Sequence, residues 1–145
     1  MRIDNNMVDV LNTVEFRLSS LQVQEMTRIQ ASTLMAKIRH RVHQEGVDSK
    51  GNPIGTYSLG YARFTRPKYG RGTNRKVVAS LTRSMENSMV LYPLPNGTGI
   101  GYATAENRQK AKWVEQTYGK KIFSPTDGER ALVNEIAQNY IAENL

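Results

Sequence analysis

Residues 7–42 contain neither proline nor glycine, and their apolar positions recur three and four apart. Met7, Val10, Leu11, Val14, Leu18 and Leu21 form one stripe, and Ile29, Leu34, Ile38 and Val42 continue it more loosely with arginines between. That spacing puts apolar side chains on one face of a helix. It predicts one long helix, or two nearly collinear ones, stopped near Gly46. At about 1.5 Å per residue a single helix of this span would run about 50 Å. A domain of this size is narrower than that, so one end would project or pack on a neighbour.

The pattern then breaks. Gly46, Gly51, Gly55, Gly60, Gly70 and Gly72, with Pro53 and Pro67, interrupt any helical or strand period. Residues 46–76 therefore read as an extended loop, a length usually kept for function or for a partner. A short helical turn is expected over residues 76–82. From Met85 to Tyr92 apolar and polar positions alternate as in a strand, the stretch from Pro93 to Gly97 is a turn, and residues 98–102 return as the second strand of a hairpin. Residues 105–117 read as a helix closed by Gly119, and residues 121–123 as extended. Thr126 and Glu129 have capping-box spacing ahead of a last helix, whose apolar face is Leu132, Val133, Ile136, Ala137, Tyr140 and Ile141. The expected class is α+β: a long N-terminal helix and a C-terminal helix packed on a small antiparallel sheet, as one domain over residues 1–145.

Composition narrows the chemistry. With 145 residues the chain can bury one real core. It has no cysteine, which removes disulfides, thiolate nucleophiles and cysteine zinc sites, and fits assembly in a reducing cytoplasm. No apolar run approaches the ~18 residues of a membrane span, and the first residues have no leader-like apolar core, so no membrane partner is expected. The formal net charge is +7, and its distribution matters more than its sum. Residues 44–80 hold Lys50, Arg63, Arg66, Lys68, Arg71, Arg75 and Lys76 against only Glu45 and Asp48. An electrostatic partner belongs there.

Little points to catalysis. His40, His43, Glu45 and Asp48 have the only metal-like spacing, but a zinc site needs three or four held ligands. Both histidines read instead as solvated at a helix C-terminus, where the dipole favours positive charge. Gly97-Thr98-Gly99-Ile100-Gly101 lacks the Lys-Ser/Thr of a phosphate loop and precedes a strand, so turn glycines account for it. No nucleophile elbow is present. The chain reads as no enzyme, with no cofactor and no metal. The remaining candidate is a contact loop of Tyr57, Tyr61, Arg63, Phe64, Arg66, Lys68, Tyr69, Arg71, Arg75 and Lys76. Cations neutralise phosphates and rings stack on unpaired bases. The same residues equally suit docking on an acidic protein neighbour.

Three stretches carry a resemblance. Residues 46–58, Gly-Val-Asp-Ser-Lys-Gly-Asn-Pro-Ile-Gly-Thr-Tyr-Ser, give a glycine, an acid, a glycine, a proline, a bulky apolar residue and then tyrosine. Residues 81–88, Leu-Thr-Arg-Ser-Met-Glu-Asn-Ser, lead into the hairpin. Ile100-Gly101-Tyr102-Ala103 is followed by Trp113, Glu115 and Gly119. In order and spacing, over residues 30–145, they resemble the tail-completion and virion-morphogenesis family of tailed bacteriophages, the head–tail joining or neck proteins. Two departures stand out. Arg83 occupies a place where the family often has glycine, which predicts a differently shaped turn, and residues 104–112 are an insertion. The resemblance implies a structural virion protein assembled in the host cytoplasm. It implies a homo-oligomeric ring of twelve or six copies, a connector between the portal and other neck or tail proteins, with genomic DNA passing through its lumen. The alternatives are a tail terminator or minor tail protein, and a small basic nucleic-acid-binding protein acting through residues 61–76.

Overall fold

A computed structural model describes the backbone of residues 2–4 and all of residues 18–144. The first helix, α1, runs over Ser20–His40. Ser19 starts it: its Oγ accepts from the Gln22 amide at 3.1 Å, and Gln22 Oε1 accepts from the Ser19 amide at 3.0 Å. This reciprocal pair satisfies two amides that otherwise have no helical partner. Ser19 is extended, with ψ 162°, so no single helix runs from residue 7 to residue 42. The 21 residues of α1 span about 32 Å. The stripe of Met7, Val10, Leu11 and Val14 lies outside the described residues. The buried face of α1 is Met26, Thr27, Gln30, Ala31, Leu34 and Ile38, while Ile29 turns outward.

The C-terminal end of α1 widens into a π turn over Arg41–Glu45, and Gly46 closes it in the left-handed conformation at φ 68°. Arg41, Val42 and His43 are all buried. Three consecutive buried residues mean that chain surrounds the helix end on every side, because a helix lying on a surface buries one stripe.

The sheet is built on the hairpin of β2 (Met89–Leu94) and β3 (Gly97–Tyr102), turned by Pro95 and Asn96. The short strand β1 (Arg2–Asp4), which no sequence pattern announced, pairs antiparallel with β3 and makes it the central strand. Gly97 opens β3 directly after the turn, paired with Leu94. Gly99 and Gly101 lie within β3 under the Tyr92 ring, and a Cβ on Gly99 would sit 2.2 Å from it. That close approach corrects the reading of these residues as turn glycines.

The single-turn helix α2 (Ser84–Asn87) precedes β2, so Met85 is helical and the strand starts four residues later than the alternation predicted. No helical turn forms over residues 76–82, since Lys76 bridges back to Thr56. Arg83, ahead of α2, takes φ 68°, the conformation glycine adopts most cheaply. Helix α3 (Ala105–Tyr118) ends on Gly119, and α4 (Asp127–Glu143) starts with the capping box of Thr126 and Glu129.

Helices thus pack on a small antiparallel sheet, the α+β class the pattern predicted. α1 lies between β3 and α4. Thr27 and Thr98 share a hydrogen bond at 3.1 Å, and Gln30 donates to the Val133 carbonyl at 2.9 Å. The core is Leu34, Ile38, Val42, Ile54, Val77, Ile100 and Ile122. Met26, Ala137 and Tyr140 form a second cluster, against which Leu18 packs.

Candidate docking surface

Residues 46–76 are more ordered than a loop broken by glycine and proline promised. Asp48 pins the first part: its Oδ1 accepts from the Lys50 and Asn52 amides, each at 2.9 Å, and Val47 bridges Pro53. Ser49 Oγ donates to the Lys121 carbonyl. The Thr56–Lys76 bridge then closes a second ring, with the Tyr57 amide donating to the Arg75 carbonyl at 2.6 Å and the Val77 amide to the Gly55 carbonyl at 3.1 Å. The tip is helical, a π turn over Tyr61–Thr65 followed by a 3-10 turn over Arg66–Tyr69. The tip is therefore held at its base rather than left to partners for its shape.

The ten predicted contact residues divide. Arg66 is buried, donates to the Ser80 carbonyl at 2.8 Å, and sets its guanidinium 4.6 Å from the Tyr57 ring centre. This cation–π contact is partly desolvated, which strengthens it. Tyr57 packs on Tyr61 at 4.9 Å and accepts from the Val78 amide. Burial pushes its phenol above the usual range. Arg71 donates to the Leu81 carbonyl and Ser80 Oγ and faces Glu86, while Ser80 also bonds Glu86. Arg75 donates to the Tyr57 carbonyl, and Lys76 supplies the backbone bridge. These residues build the loop.

Arg63, Phe64, Lys68 and Tyr69 face solvent, and Leu59 joins them. Phe64 is 66% exposed, Leu59 59% and Tyr69 52%. Arg63 and Lys68 have no hydrogen-bond or ion-pair partner among the described residues. Single exposed apolar residues are ordinary, but three around one cationic turn make a patch suited to an interface.

The histidines also divide, which corrects the reading of both as solvated. His40 is exposed and holds Gln44 and Glu45. His43 is buried under the loop. Its Nδ1–H donates to the Ala79 carbonyl at 3.0 Å, so Nε2 accepts from the Tyr102 hydroxyl at 2.9 Å. Ala79 has φ 46°, a costly conformation for alanine that this bond helps to hold. No group of three His, Asp or Glu side chains suited to a metal occurs among the described residues.

Burial holds the His43 imidazole below its ordinary value of 6.5, against smaller raising effects of the Ala79 carbonyl and Glu86. The fold keeps the neutral ring, so the unfolded chain takes up this proton first as pH falls. Stability is full above the ordinary value and is expected to drop as pH falls below it. Denaturant titrations at pH 8, 7, 6 and 5 read this directly. His43→Gln should flatten the slope between pH 7 and 5; an equal slope in the variant and the unaltered protein would exclude His43 as its source.

Compared with known protein families, with curated proteins and with solved structures, the chain shows no match. No described helix is long and apolar enough to cross a membrane.

Proposed function

We propose that this chain is a ring-forming subunit of a tailed-phage neck, a structural virion protein through whose lumen genomic DNA passes. It performs no catalysis in this role. Its partners are further copies of itself, the portal, and other neck or tail proteins. The observation that carries the reading is the tip of the loop: Leu59, Phe64 and Tyr69 stand exposed beside Arg63 and Lys68, on a turn tied down at Thr56 and Lys76. A preordered apolar knob with cations around it pays little entropy on docking. Copies that meet through two different faces close into a ring when the rotation permits. Residues 46–58 and 81–88, which resemble the neck family, lie on either side of this element.

The nucleic-acid reading draws less support. It needs free cations and open ring faces, and keeps only Arg63, Lys68, Phe64 and Tyr69 of the predicted set, because Arg66 and Arg71 bond within the chain and Tyr57 is covered by Arg66 and Tyr61.

The test exchanges Phe64→Ser and Tyr69→Ser together. These side chains are exposed, so the fold should remain while joining of heads to tails is lost. Native mass measurement and negative-stain imaging of the unaltered protein should show a ring, alone or once portal complexes are added. Normal joining by the double variant would overturn the role of the tip. A strict monomer that ignores portals and binds free DNA, with a steep loss as salt rises, would overturn the neck reading.

A further inference from the structure

A groove of about 370 Å³ runs between residues 77–85 and α3. Tyr61, Trp113 and Tyr118 form its walls and Val77 and Met85 lie at its floor, while Arg83 and Lys110 are its charged lining residues. No carboxylate lines it. Trp113 is 57% exposed, the largest ring in the chain left half in water. Lys110 holds only the exposed Glu106, an i,i+4 pair at 3.2 Å that is readily exchanged.

Two properties define what fits. The walls suit one long apolar or aromatic side chain, the kind of anchor that dominates docking energy. Arg83 and Lys110, the latter held only by an exchangeable surface pair, suit carboxylates on either side of it. A base would find one open ring face, that of Trp113, because the Tyr57 and Tyr61 rings lean together at 48° and Arg66 covers a face of Tyr57. A second copy fits poorly. Among the described residues, its exposed Leu59, Phe64 and Tyr69 sit beside Arg63 and Lys68, its Leu21 and Ile29 flank both Arg28 and Glu25, whose carboxylate already accepts from the Tyr140 hydroxyl, and the exposed carboxylates Asp127, Glu135 and Glu143 of α4 have no large exposed apolar neighbour on that helix.

We propose that the groove takes an acidic segment of another protein, with one apolar or aromatic side chain entering beside Trp113 while flanking Asp or Glu carboxylates meet Arg83 and Lys110. The side chains involved differ from those of the Phe64 tip. Phe64→Ser therefore leaves this binding intact, whether or not copies close a ring.

Trp113 is the only tryptophan, so its emission reports the groove directly. The probe is a short synthetic peptide with one central phenylalanine flanked by aspartate and glutamate, compared with lysine-flanked and serine-flanked versions. The acidic peptide is expected to shift Trp113 emission to the blue and protect it from acrylamide, more weakly as salt rises. Lys110→Glu should lower the affinity about tenfold, and Thr117→Glu, which places an acid on the groove wall, should do the same. Circular dichroism checks that each variant is folded. No shift with the acidic peptide, or an equal shift with all three peptides, overturns the proposal. So does a shift that grows with protein concentration alone, which assigns the groove to a second copy, or one given only by an oligothymidylate, which assigns it to single-stranded nucleic acid.

Discussion

Arg41→Ala is expected to destabilise the fold by about 3–5 kcal/mol, the scale for removing one partner of a buried ion pair. The whole margin of an ordinary domain is only about 5–15 kcal/mol. The Arg41 guanidinium is a hub. Nε donates to Glu129 Oε2 at 3.0 Å, Nη1 to the carbonyls of Val47 and Ile122 at 3.0 and 2.8 Å, and Nη2 to the Ser124 carbonyl at 2.9 Å. Side-chain exposure is 8% for Arg41 and 10% for Glu129, so water does not replace what is lost. Alanine leaves a carboxylate and three carbonyls facing a void, and unpaired buried polar groups carry their full desolvation cost. Exchanging both partners, Arg41→Met with Glu129→Leu, removes the stranded charge but still leaves the three carbonyls. It should recover only part of the loss. Glu129→Gln keeps an acceptor for the Thr126 amide and should cost about 1–2 kcal/mol. Denaturant midpoints of the four proteins order these outcomes. A loss under about 1 kcal/mol in Arg41→Ala would mean that the hub is not closed as described.

Gly46→Ala should be nearly as damaging, at about 3 kcal/mol or more, for a reason that involves no lost side chain. A Cβ at this position would lie 2.0 Å from the Val77 carbonyl oxygen and 3.1 Å from its carbon. Both are backbone atoms of the segment that closes the loop, so no rotamer change relieves the clash. The left-handed backbone at φ 68° adds about 1–2 kcal/mol for any residue with a Cβ. Moving Val77 outward would also strain its bond to Gly55 and the Ile54–Gly46 bond of 2.9 Å. Gly70→Ala is the control. Gly70 has φ 72° and nothing within 4 Å of a new Cβ, so only the conformational cost applies. Equal melting temperatures for the two variants would contradict the close approach at Gly46. Intermediate damage that loosened the base of the loop, with the α1–α4 packing intact, should appear first as altered Trp113 emission, since Val77 forms the floor of its groove.

Arg41 and Gly46 lie five residues apart, at the two ends of the π turn, and show how differently two such residues can be read. Gly46 was legible as a stop: a glycine after a long unbroken periodic stretch predicts that the helix ends there, and the structure closes it at Gly46 in the left-handed conformation. Nothing local marks Arg41 as different from Arg39 or Arg63. Its partners lie 6, 81, 83 and 88 residues away, so a charge pattern counts it as one more solvated cation. The candidate loop was located by the same kind of count, as a concentration of positive charge. The count could not say that Arg66 and Arg71 bond to residues 80 and 81 and leave Arg63 and Lys68 free.

By itself the sequence determined what rests on neighbours within one helical turn or one hairpin. This includes the capping box at Thr126 and Glu129, the stops at Gly46 and Gly119, the β2–β3 hairpin, and the α+β class that follows from them. These depend on hydrogen bonds and periodicities spanning three or four residues, which adjacent letters record. Only the tertiary structure decided that His43 is buried and neutral, that Ala79 and Arg83 hold positive φ, that β1 completes the sheet, and that Trp113 faces a groove without carboxylates. Each of these depends on chain segments meeting in space, where burial and distant partners outweigh the intrinsic preference of the residue.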